Sequence, residues 1–185
     1  MKRYYQVVLI VSTVLGSWLG MQATHESGHV LGAALTRGRV ARVVLHPLAI
    51  SRTDLVNNPR PLVVAWAGPL VGVLLPLALW ALAAGLRSSG AFALRFFAGF
   101  CLIANGAYLA VGSFDRVGDA GELLRLGSPA WSLWLFGSFA APAGLWLWHR
   151  QGRHFGLGAS PPGVVYASVV AFLSLVALGL LLGGG

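Results

Sequence analysis

The sequence predicts an all-α membrane protein of about five transmembrane helices, with a short β-hairpin-like segment between helices one and two. Three observations carry this. First, hydrophobic residues make up 57% of the 185-residue chain and charged residues only 10%, against about 25% charged in an average soluble domain. So few charges cannot cover a water-facing surface of this size, and a lipid-facing surface removes the mismatch. Second, the apolar residues gather into five runs, roughly Val7 to Leu35, Pro61 to Leu86, Ala91 to Gly112, Trp131 to Trp148 and Val164 to Leu182. Each is at or near the roughly 20 residues that cross a bilayer core. Third, polar residues and turn formers fall between these runs.

The first run follows Lys2 and Arg3, as a secretory signal would, but it continues past His25 without a small-residue cleavage site. It reads as a retained helix. The fourth is short and contains Pro142, which allows a kink. The 25 glycines fit close helix packing rather than linkers. Arg37 to Arg60 is the longest polar stretch, and its segment Val40 to Leu55 is rich in β-branched residues before the turn signal Asn57-Asn58-Pro59. One or two short strands at a membrane surface fit it better than a helix. Ser113 to Pro129 holds Asp115, Asp119 and Glu122, three of the five acidic residues, and Trp148 to Ser160 is basic. The chain reads as one integral membrane domain over residues 1–185, with a core in 1–127 and two further helices in 128–185.

Charge excludes one function class and leaves orientation open. The net charge is +8, but the basic residues lie between apolar runs, where they meet lipid headgroups rather than nucleic acid. With five spans, seven arginines fall on one side and six basic residues on the other, too even a split to fix topology. Cys101 is the sole cysteine, so no intrachain disulfide forms and cysteine usage carries no signal of redox compartment. The seven tryptophans read as interface anchors.

The chemistry gathers at His25-Glu26-Ser27-Gly28-His29. Histidines four residues apart share one helix face and reach one metal ion, with zinc the metal that this motif takes. Glu26 stands where a general base would act. It is also an ionisable group about 20 residues into an apolar run, a costly position that marks function. A catalytic zinc needs a third protein ligand and an open position. Among His46, Asp54, Asp115, Asp119, Glu122, His149 and His154, the choice is Asp119. It follows the third run in Gly118-Asp119-Ala120-Gly121, on the same membrane face as the end of helix one. Asp115 and Glu122 remain alternatives. His149 and His154 follow helix four and fall on the opposite face.

The pentapeptide in the first run, Ala67-Gly68-Pro69 in the second, and Asn105 in the third with an Asp/Gly element beyond it together resemble the site-2 protease family of intramembrane zinc metalloproteases. The resemblance covers about residues 7 to 127. It implies Zn2+ on His25, His29 and Asp119, with Glu26 as general base. It implies site-supporting roles for Asn105, Gly68 and Pro69. The reaction would be hydrolysis of peptide bonds in membrane-spanning protein substrates, with an extended substrate held as an added strand along Val40 to Leu55. The bilayer is the other partner, no nucleic acid is expected, and a bacterial cytoplasmic membrane fits the small core. A different class also suits the residues: a non-catalytic scaffold or transporter-like protein that retains a metal site.

Overall fold

The structure is a computed structural model that describes residues 3–48, 51–155 and 162–183. Among these, the order is α1 (Arg3–Leu35), β1 (Arg39–Val44), β2 (Arg52–Asn57), α2 (Pro61–Gly85), α3 (Ala91–Asp115), α4 (Gly118–Arg125), α5 (Ala130–Trp148), a 3-10 turn (Gln151–Phe155) and α6 (Pro162–Gly183). The chain is mostly helical, as its long apolar runs predict.

Of the five expected spans, three helices among the described residues are long and apolar enough to cross a membrane: α1, α2 and α3. The other two runs do form helices. However, α5 has only 19 residues, with Pro142 and four tryptophans among them.

Small residues decide which helices touch. Gly28 of α1 lies against the Ala67 carbonyl of α2, and any Cβ there would collide with it. The α3–α5 pair uses the same device twice: Gly106 faces Gly137 and Gly99 faces Gly144, backbone to backbone. Such contacts let helices approach closely enough for dispersion to hold them where apolar burial supplies little drive. Indole donors close both ends of this pair, Trp134 Nε1–H to Ser113 Oγ at 2.9 Å and Trp148 Nε1–H to the Phe96 carbonyl at 2.9 Å. α6 packs on α1, with Ser12 and Ser168 hydroxyls 2.8 Å apart.

The expected strand segment is an antiparallel hairpin, β1 against β2, pairing Val40 with Leu55 and Val43 with Thr53. It is pinned to α1 by Trp18 Nε1–H, which donates to the Pro47 carbonyl at 3.1 Å. The second polar stretch is not a plain loop. It contains α4, which buries Ala120 and Leu123 against Ala65, Leu109 and Leu133 from α2, α3 and α5. The 3.6-residue spacing that buries Ala120 and Leu123 turns Asp119 elsewhere.

Arginine occupies the left-handed position after four helices: Arg37, Arg87, Arg116 and Arg150 have φ of 52° to 60°. Glycine is usual there. The charge offsets the strain, because a cation at a helix C-terminus meets the negative end of the dipole.

Gly28→Val tests the α1–α2 contact. The branched side chain forces the helices apart, and overpacking of this kind costs about 1–3 kcal/mol. The expected result is a lowered Tm in detergent, with Gly85→Val, at a glycine with no neighbour within 4 Å, as the unaffected control.

Candidate metal centre

One turn of α1 supplies two imidazoles. His25 and His29 face the same way, with ring centroids 4.9 Å apart and planes at 71°. Both residues are buried. The Nε2 atoms are 3.1 Å apart, and Asp119 Oδ2 from α4 lies 2.6 Å from His25 Nε2 and 3.5 Å from His29 Nε2. Among the described residues, this is the one group of three or more such side chains that could hold a metal ion.

The acceptors behind each ring explain why the three atoms need a cation. Asn105 Oδ1 lies 2.7 Å from His25 Nδ1, and the Val64 carbonyl lies 2.8 Å from His29 Nδ1. The Asn105 Nδ2–H donates to the Cys101 carbonyl at 2.9 Å, which turns the amide oxygen toward His25. Both partners are therefore acceptors, so each ring gives its Nδ1–H away and presents a lone pair at Nε2. Two such lone pairs and a carboxylate oxygen face one another. Nothing but a cation or a proton can sit between them. Ligand pairs of a tetrahedral zinc site with bonds of about 2.0–2.1 Å stand about 3.3 Å apart, and the separations of 2.6, 3.1 and 3.5 Å straddle that value.

Each neighbouring element holds one part. Gly68 of α2 faces the His29 imidazole, in a space where any Cβ would overlap the ring. Pro69, fully buried in the same helix, has no N–H for the Ala65 carbonyl. Gly72 leaves room for the Asn105 amide. Asp119 occupies the first turn of α4, where no side chain caps the helix from Val117. Instead, the Tyr108 hydroxyl of α3 accepts the Asp119 N–H at 3.2 Å. Gly118 has φ of +53°, and its missing Cβ is the space the Tyr108 hydroxyl fills. Burial pushes the Asp119 carboxyl up, but where a proton rather than a metal fills the space between the three atoms, hydrogen bonds and charge from His25 and His29 outweigh it and hold the group well below the usual carboxylate range.

Glu26 lies on the next face of α1 and is buried. Its Oε1 accepts from Ser51 Oγ at 2.7 Å and its Oε2 from Thr53 Oγ1 at 2.6 Å. Ser51, Thr53 and Leu55 line a cavity of about 480 Å³ that also contains Glu26, His25 and Asp119. Their alternation is the two-residue period of a strand. Gln22, one turn before Glu26, lines the same cavity, and neither atom of its buried amide has a hydrogen-bond partner.

The sequence-predicted residues thus divide. The structure brings His25, His29 and Asp119 together, with Glu26, Asn105 and Gly68 around them. It brings Glu122 to the wall of the same cavity but not into the triad, and the remaining acids stay outside. Asp115 ends α3 on the exposed surface, Glu122 is paired with Arg125, and Asp54 is held by Arg42 and Arg52. His46 accepts the Leu48 N–H, and His149 and His154 lie at the far end of α5. Ser51, Thr53, Tyr108 and Gln22 escape sequence reading because hydroxyls and amides carry no spacing signal. No protein-family model, curated protein or solved structure matches the chain.

Asp119→Ala removes one of the three candidate ligand atoms, and metal retention after loading with Zn2+, measured by elemental analysis of the purified protein, should fall to background. Asn105→Leu leaves the His25 ring free to turn, and loss of such a partner typically weakens metal binding by about 10–100-fold. Glu122→Ala should leave zinc affinity unchanged.

Proposed function

We propose that the protein is an integral membrane zinc endopeptidase of site-2 protease type that hydrolyses peptide bonds of membrane-spanning protein substrates. The observation that carries this reading is a carboxylate, Glu26, adjoining a His25–His29–Asp119 triad inside a cavity. Two imidazole nitrogens and one carboxylate oxygen suit zinc. When bound, zinc would acidify a water molecule and polarise the scissile carbonyl.

The chain's own residues supply the rest. Glu26 takes the proton of the attacking water and passes it to the leaving amine. Ser51 and Thr53 hold its carboxylate from the hairpin side, so the base is oriented before substrate arrives. The Gln22 amide offers an NH2 donor group and a carbonyl acceptor, the complement of a peptide unit. The sheet has only two strands, so an extended peptide can pair with an open edge.

The membrane assignment rests on where polarity lies. α1 turns Ser12, Ser17, Gln22, Glu26 and both ligand histidines inward and leaves Val7, Val11, Leu15 and Leu31 exposed. That is the wrong way round in water and favourable in hydrocarbon. We read α5 and α6 as the fourth and fifth spans. α5 places Trp131 and Trp134 at one end and Trp146 and Trp148 at the other, matching the two interfacial belts.

Reconstituted protein should cleave a single-span peptide, and a chelator should stop it. Glu26→Gln should retain zinc while cleavage falls by about a hundredfold to ten-thousandfold, the usual worth of a general base. Full activity in that variant would rule out Glu26 as the base. A zinc-loaded wild type that cleaves no single-span peptide would point instead to a metal-holding scaffold.

A further inference from the structure

At the end of the bundle away from the metal centre, the cations are uncompensated. The five acidic residues of the chain, Glu26, Asp54, Asp115, Asp119 and Glu122, lie in or beside α1's last third, the hairpin and the α3–α5 connection. The opposite end contains the start of α1, the α2–α3 turn and the 3-10 turn after α5, and among the described residues it has no acidic side chain. There Arg95, Arg150 and Arg153 line a second cavity with His149 and Trp146.

The cavity has the features of an anion site. Arg95, one turn into α3, stacks its guanidinium 6.0 Å from the Trp146 ring and gives Nη2–H to the His149 carbonyl at 3.4 Å. Its Nε–H is buried and has no hydrogen-bond partner. Arg150 and Arg153 stand exposed on the turn that follows α5. Three guanidiniums walling one space repel one another unless an anion enters. Their planar forks match phosphate oxygens.

We infer that Arg95, Arg150 and Arg153 form a binding site for a phosphate group. Trp146 and Trp148 at the same end of α5 place it at headgroup depth if the bundle spans a bilayer. An anionic phospholipid and a free phosphate ion present the same chemistry, and the test separates them. The site shares no residue with the metal centre and does not depend on catalysis.

The experiment uses the full-length chain in a non-ionic detergent. One arm offers phosphatidylglycerol and phosphatidylcholine in equal amounts and counts the lipids retained in native mass spectrometry. The other titrates inorganic phosphate and reads Tm. The test variant is Arg150→Gln/Arg153→Gln, whose side chains are exposed and carry no core packing. The control, Arg39→Gln/Arg60→Gln, removes the same charge from the opposite end. Preferential retention of phosphatidylglycerol that drops about tenfold or more in the test variant, and not in the control, supports the site with a lipid headgroup in it. A phosphate-dependent rise in Tm that the test variant loses, without lipid preference, supports the same site filled by the free ion. Equal retention of both lipids with no phosphate effect overturns the proposal, as does a preference that survives in the test variant or falls equally in the control.

Discussion

Three acceptor atoms held within 3.5 Å of one another are the constraint on which this structure turns. Left empty, two imidazole lone pairs and a carboxylate would repel and the side chains would part. The fold prevents this by fixing each from behind. Asn105 and the Val64 carbonyl lock the two rings into one tautomer and one orientation, and the Tyr108 hydroxyl holds the start of α4 that carries Asp119. These contacts come from α2 and α3, so the site belongs to no single helix.

That dependence explains the small residues. An imidazole can reach the α2 backbone only if the two helices lie close, and Gly28 and Gly68 permit that approach. The α3–α5 glycine pairs do the same for the other side of the bundle, and α4 then settles into the pocket left between α2, α3 and α5. Packing and chemistry are thus one problem: each glycine is where a backbone or ring must come near another. The charge on Glu26 poses a related problem, since an unpaired buried carboxylate is expensive. The two hairpin hydroxyls answer it, which ties the strands to the helix that they cover.

Much of the fold and part of the site were legible in the sequence. The i, i+4 histidines are a local signal, and helical geometry alone puts them together. Asp119 was reachable through connectivity, because the ends of the first and third helices share a side, although its setting in a helix was not foreseen. Ala67-Gly68-Pro69 pointed to a site-supporting stretch, and the contact with His29 gives that a steric cause. Asn105, expected to support the site, accepts from the Nδ1–H of His25. What stayed hidden were pairings across long sequence separations by residues with ordinary chemistry: Ser51 and Thr53 with Glu26, and Tyr108 with the Asp119 backbone. Among the described residues three of the five apolar runs form helices long and apolar enough to span, because composition does not separate a tryptophan-rich 19-residue helix from a longer aliphatic one.

Zinc K-edge X-ray absorption on the purified, full-length protein tests the triad most directly. The account predicts one zinc per chain, with two imidazole nitrogens and oxygen donors at about 2.0–2.1 Å. A spectrum with one imidazole or none, or a protein that binds no zinc when supplied with it, would contradict it.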